Sequence, residues 1–416
     1  MKTKLLFLLV VLISHVAKSQ EINCAEKENQ LSKFVVDQDY SKAFDVWNEA
    51  KTSCPKYSEK LYSLGIEVLQ YTIETATPKL KEEKVRELLK VLDLYDKNFP
   101  SNKNGNFEKR ALALYQNHAG TEDEIYNFLD QAFEKQKEEF SNPQALDIYF
   151  RNYFDKYKSG KSTITTNQLF DKYIALVSLT ESNTAKHPEN AGDYVTVNQN
   201  LNSLMNDLLS CDNLIPYAKN GFELNKSNIS WLFTTSKILS VNCKTAPIFG
   251  IIASQLYSLK PSSKSAYYLA TFNLNTGNLD KAVEYYKESI SLATDKLEKA
   301  TTAYTAASVL VNQDASKCQE MILVAIENKP NNGKYFIFLA NLYANSVVDC
   351  GSSSNEKKAI YKLASNTVLK AALAEPRLKP TAEVMSKEYL KNVTFEKNEK
   401  VKSVKIGCWI NQTIQF

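Results

Sequence analysis

Apolar residues recur at three- and four-residue intervals along almost the whole chain. Val85, Leu88, Leu89, Leu92 and Tyr95 form one such run, and Leu61, Leu64, Val68 and Tyr71 another, which is the spacing of a single buried face on an α-helix. The periodicity extends from Cys24 to about Leu390. It is interrupted at Thr77-Pro78, Asn98 to Gly105, Ser141 to Pro143, Ser159 to Lys161, His187 to Gly192, Lys260 to Ser263 and Lys329 to Gly333. These short polar, Pro- and Gly-containing breaks suit turns between helices rather than domain linkers. Ser159 to Thr166 has the most flexible composition and could divide the array. Eleven glycines and eleven prolines in 416 residues favour continuous helices over strands and turns. The pattern predicts an all-α fold, an α-solenoid of antiparallel helix hairpins. Near the end the period changes to two: Val404, Ile406, Cys408, Ile410, Ile414 and Phe416 fall on one side and Trp409 on the other, so a short extended tail is expected.

The repeat is most legible in Ser265 to Leu292. Leu269 and Ala270 lie in a first helix, Gly277 at a turn, Ala282 and Tyr286 in a second, and the segment resembles the tetratricopeptide repeat. Small residues at Ala270 and Ala282 would let the helices approach, with Tyr286 and Phe272 filling the gaps between pairs. A second unit from about Lys299 supplies Ala306, Ala325 and Pro330, and the next first helix Phe336, Leu339, Ala340 and Tyr343. Tyr40 to Pro55 carries Ala43, Trp47, Ala50 and Pro55 at the offsets of a second repeat helix. Asn273 departs from the pattern, and Cys350 to Asn355 inserts an extra loop. Residues 56–200 keep the helical period without the small-residue signature and read as helical only.

The expected organisation is a leader over 1–19, an N-terminal helical-repeat region over 20–200 with a repeat-like hairpin at 24–55, C-terminal repeats over 201–390 and the tail over 391–416. Asp39-Tyr40-Ser41-Lys42-Ala43, Cys54-Pro55 and the closing Gly407-Cys408-Trp409-Ile410-Asn411-Gln412-Thr413 are similar to motifs of exported tetratricopeptide-repeat proteins of Bacteroidetes-type bacteria. That resemblance implies protein contacts and no particular chemistry.

Six of the seven cysteines form pairs at nearly constant separation: Cys24 with Cys54, Cys211 with Cys243, and Cys318 with Cys350. Each separation is the length of one helical hairpin, so all three pairs are expected to staple open hairpin ends as disulfides, in an oxidising compartment. Cys408 is left over, expected as a buried thiol in a tail that caps the last helices; a reactive thiol, or a tail that docks as a strand, is the sharper alternative.

Lys2 and Lys4 precede the apolar run Leu5 to Ile13, and Ala17 and Ser19 suit cleavage before Gln20, which reads as a secretory signal and a periplasmic or secreted product. The run is too short to span a membrane, and no later stretch is apolar enough, so no integral membrane segment is expected after cleavage. Net charge is +4. Removing residues 1–19 takes three lysines with it and leaves 48 basic against 47 acidic residues, which disfavours nucleic acid as a partner. No catalytic motif, cofactor-binding loop or CxxC pair is present, and His118 and His187 have no evident partners. A non-catalytic scaffold without cofactor or metal is expected, binding a protein or peptide on a concave face lined by first helices.

In that register Lys264, Tyr267, Thr271 and Asn275 of one repeat and Lys334, Ile337, Asn341 and Asn345 of another would line the face, with Ala303, Ala307 and Leu310 as an apolar stretch between. The same residues equally suit an ordinary solvated surface. A glycan- or nutrient-binding helical-repeat protein is the second reading, and an exported hydrolase the third.

Overall fold

The computed structural model describes residues 23–100, 106–137, 139–160, 162–394 and 401–416. The expected leader lies outside them, as do residues 395–400 of the expected tail. The described chain is all-α apart from one small hairpin, and it divides into two compact units, one up to residue 204 and one from residue 205.

Unit 1 contains α1 (Cys24–Val36), α2 (Tyr40–Ser53), α3 (Glu59–Thr75), α4 (Pro78–Asn98), α5 (Asn106–Gln116), α6 (Glu122–Lys135), α7 (Pro143–Lys158), α8 (Thr166–Lys186) and all but the last residue of α9 (Ala191–Met205). Helix starts coincide with side-chain caps. Asn23, Asp39, Ser58, Thr121 and Asn142 each accept a hydrogen bond from the backbone N–H three residues on. Thr165 and Gln168 form a reciprocal capping box, and Pro78 and Pro143 occupy first helical positions, where a missing N–H costs nothing. Successive helices from α3 to α8 pack against one another, so this part of unit 1 is a continuous helical array despite lacking the small-residue signature.

Unit 2 contains α10 (Cys211–Asn225), α11 (Ile229–Asn242), α12 (Pro247–Leu259), α13 (Ser263–Asn275), α14 (Leu279–Leu292), α15 (Lys296–Leu310), α16 (Ala315–Asn328), α17 (Gly333–Asn345), the single turn α18 (Val347–Cys350), α19 (Ser354–Ala374) and α20 (Lys379–Leu390), followed by β1 (Ser403–Lys405) and β2 (Thr413–Gln415). The α13–α14 hairpin turns at Gly277, whose φ of +84° is a conformation side chains resist. Ala270, Ala282 and Tyr286 are buried between its helices, as the repeat pattern predicts. The Phe272 ring lies where a Cβ on Gly250 would sit, 2.4 Å away, so the α12–α13 contact depends on that glycine. Ala300, Ala303, Ala306, Ala307 and Ala325 line the α15–α16 contact and let the two backbones close up.

The tail is an antiparallel hairpin pairing Val404 with Ile414. Ile406, Ile410 and Ile414 are buried in the same core as Tyr343, Val347 and Ile360. Trp409 stacks on Tyr343 with ring centroids 6.0 Å apart, and the Gly407 N–H donates to Glu356 at 3.3 Å.

Disulfides join Cys24 to Cys54 and Cys211 to Cys243, at open hairpin ends. The third expected bond is overturned. Cys350 pairs with Cys408, Cys318 is a buried free thiol, and Cys408 is exposed rather than buried. Helical phase explains the difference. Cys24 and Cys211 are first residues of α1 and α10, whereas Cys318 is the fourth residue of α16. Three residues at 100° each turn it inward, where its thiol donates to the Ala307 carbonyl at 3.3 Å. Its proper partner by separation, Cys350, sits on α18, beyond the end of α17 and beside the tail.

Burial, with Asp314 adding, pushes the Cys318 thiol from its ordinary value of 9.0 up to about 12. A thiol-specific reagent is therefore expected to find no fast-reacting thiol in the native protein and one after denaturation. Because the unfolded thiol ionises at lower pH than the folded one, its stabilising contribution is complete below about 9 and is lost as pH climbs toward about 12. A Cys318→Ala variant should flatten that part of the stability profile in alkaline unfolding titrations.

Candidate functional site

The residues expected to line a concave face in unit 2 are largely engaged by their own chain. Lys264 is exposed and pairs with Glu298 at 3.5 Å. Tyr267 is half-buried against the rings of Tyr268 and Tyr286. The buried Thr271 hydroxyl donates to the Tyr267 carbonyl at 2.9 Å, and Asn275 donates to the Thr271 carbonyl at 2.7 Å. On α17, Ile337 packs into the cluster of Ala340, Val368, Ala371 and Ala382. Asn341 accepts from Tyr389 of α20 at 2.7 Å, and Lys334 and Asn345 are exposed. The stretch expected between the quartets is corrected: Ala303, Ala307 and Leu310 are fully buried, because α15 turns its alanine stripe onto α16.

A formed groove of ≈480 Å³ lies instead in unit 1, between α3 and α5 over α4. Its floor is Leu88 and Leu92 of α4 with Ile73 of α3, all buried. Ile66 on one wall and Leu112 and Ala113 on the other are half-buried and continue the apolar lining. Polar groups rim it. Gln70 and Glu74 stand on the α3 side, Lys109, Gln116 and Asn117 on the α5 side. The wall positions repeat at intervals of three and four, so each wall is one stripe of a helix.

Fixed ion pairs hold the α5 wall in place. Arg110, almost wholly buried, donates to Asp93 at 2.9 Å and to Asp96 at 2.7 Å, tying α5 to α4. Glu108 accepts from the Ser141 and Asn142 N–H groups at 3.1 and 3.2 Å and ties α5 to the segment before α7. Desolvation raises the Glu108 pKa against those hydrogen bonds, and desolvation also lowers that of its neighbour Lys109. Lys109 stands at the groove's edge and donates to the Asn106 side-chain oxygen at 3.4 Å. The groove thus offers apolar side-chain sockets flanked by amides, one amine and one carboxylate, the inventory for gripping a peptide.

The groove was not singled out in the sequence. Its residues lie where the repeat signature fades, and Ile66 or Leu112 beside a buried stripe looks the same whether it meets a helix or a groove. Among the described residues, no helix is long and apolar enough to cross a membrane, and no group of three or more potential ligands could hold a metal ion.

No protein-family model matches the chain, and no curated protein does. Among solved structures it is similar to yeast Tom70, at 10% identity over 88% of this chain and 96% of that one, with a TM-score of 0.24. It is also similar to the APC/C hetero-tetramer Cut9-Hcn1, at 10% identity over 88% and 90% of the two chains, with a TM-score of 0.28. With TM-scores this low, neither likeness adds to what the order and packing of the helices establish.

Proposed function

We propose that this protein is an exported, non-catalytic helical-repeat scaffold of the cell envelope that holds a peptide segment of a partner protein in the groove between α3 and α5. The groove carries the reading, since it pairs apolar sockets with a polar rim, and its α5 wall is held to α4 by the Arg110 ion pairs. Export is supported by the leader-like N-terminus and by three disulfides, which persist in oxidising compartments. Stacked helix pairs commonly serve this role through extended surfaces. Lys334 and Asn345, exposed on α17, are proposed as an auxiliary contact surface of the same scaffold.

The test is capture of partners from the native envelope by the mature, oxidised protein, compared with Ala113→Arg. The substitution adds a long side chain to a half-buried helical position and fills the groove, so the specific partner should be lost while the melting temperature holds. A partner retained by Ala113→Arg would move the binding site elsewhere, and binding confined to a glycan panel would replace the reading altogether.

A further inference from the structure

A second cavity of unit 1, ≈470 Å³, lies between the start of α2 and the C-terminal half of α3, and it shares no lining residue with the groove. Tyr40 and Tyr71 stack there, with ring centroids 4.0 Å apart and planes 14° apart. The Tyr40 hydroxyl donates to Glu67 at 3.4 Å. The helical run predicted Tyr71 for the buried face. Ten residues at 100° put it about 80° round from Leu61, however, and it is 41% exposed. One ring face rests on Tyr40, and Tyr71 lines the cavity.

Asp45 lines the same cavity, exposed, with no ion pair or hydrogen bond to a described residue. Asp39, by contrast, is spent on capping and pairing Lys42, at 2.7 Å from its ammonium. Gln38, in the left-handed region at φ +56°, adds a solvent-facing amide. Nearby aromatic faces already carry cations of this chain. Lys42 lies 5.7 Å from the Phe34 centroid and Lys84 lies 5.0 Å from that of Phe44. The partly exposed Tyr71 ring and the Asp45 carboxylate line the same cavity, and what that pairing lacks is a cation.

We propose that this cavity receives an arginine side chain of a protein partner, its guanidinium stacked on Tyr71 and donating to Asp45. A planar, delocalised cation uses both features at once, since it stacks on a ring and forks onto a carboxylate. Lysine would supply the charge without the stacking, and a neutral sugar would leave the carboxylate's charge unmatched.

The experiment uses the mature, oxidised protein and three acetylated, amidated probes of the form Ser-X-Gly-X-Ser, with X as arginine, lysine or the neutral isostere citrulline, read by saturation-transfer NMR and titration. The arginine probe should bind in a salt-sensitive manner, lysine several-fold more weakly, and citrulline not measurably. Asp45→Asn, an exposed and nearly isosteric change, should weaken the arginine probe about tenfold; Tyr71→Leu should do likewise, and Ala113→Arg in the groove should leave binding unchanged. Equal binding of arginine and citrulline, indifference to Asp45→Asn, binding of neutral oligosaccharides without an arginine response, or no arginine binding at all would each overturn the proposal.

Discussion

Trp47→Ala is expected to lower the melting temperature of unit 1 by about 6 to 20 °C, from a cavity cost of about 3 to 5 kcal/mol and about 2 to 4 °C per kcal/mol in a unit of this size. The ring is fully buried and meets Tyr62 edge-on at 5.5 Å. Tyr62 in turn meets Tyr95 at 5.5 Å and Phe99 at 5.7 Å. Its hydroxyl donates to the Pro55 carbonyl at 3.1 Å and accepts from Asn98 at 2.7 Å. This train of rings joins α2, α3 and α4, and it cannot collapse into the space an alanine would leave without breaking those bonds.

Gly65 tests the same contact from the other side. A Cβ there would lie 2.4 Å from Trp47 Cδ2, and the locked indole cannot withdraw. Overpacking costs about 1 to 3 kcal/mol, against which alanine regains about 1 kcal/mol of helix propensity. Gly65→Ala should therefore be destabilising despite that gain, and Gly65→Val more so. Calorimetry of the separate variants decides it. A melting transition of unit 1 unmoved by Trp47→Ala would mean the ring train does not hold the three helices together.

The helical period was the most legible signal in the chain. It reaches from Cys24, the first residue of α1, to Leu390, the last of α20, because a buried stripe must recur at the helical repeat wherever helices stack. Hairpin contacts were legible where small residues forced them, as at Ala270 and Ala282. What the period cannot convey is which neighbour a stripe meets. Ala303 and Leu310 have the composition of a surface lining or of a core, and only the closeness of α15 to α16 decides between them.

Separation alone misassigned one disulfide for a related reason. A difference of 32 residues suits Cys211 and Cys243, whereas Cys318 sits at a different phase within its helix and the inserted turn carries Cys350 away toward the tail. The tail's period of two is extended backbone only at Ser403–Lys405 and Thr413–Gln415, with a turn at 408–410 between them, and Cys408, expected there as a buried unpaired thiol, is exposed and bonded to Cys350. Tyr71 shows the same limit, since a residue only about 80° off the buried stripe becomes a surface aromatic.

Replacing Cys350 and Cys408 together by serine is expected to release the tail while leaving the helices folded. The bond closes a separation of 58 residues, the longest of the three, and on the chain-entropy model such a closure stabilises by about 4 kcal/mol. Three buried isoleucines and the Trp409–Tyr343 stack also hold the tail. They do so against an ordering cost of about 1 to 2 kcal/mol for every residue fixed. A strap with strands of only three residues cannot offset that cost from its own backbone hydrogen bonds. The covalent link therefore decides whether the isoleucines stay seated. Hydrogen exchange should show residues 401–416 losing protection in the double variant and in the reduced protein alike, with α13 to α16 unchanged. Trp409 emission should shift to longer wavelength as its ring leaves Tyr343. Release would also expose the apolar patch around Tyr343, Val347 and Ile360, so the variant should bind a hydrophobic dye more strongly than the parent. Full protection of the tail in the double variant would show instead that packing alone seats it and that the disulfide follows docking rather than enforcing it.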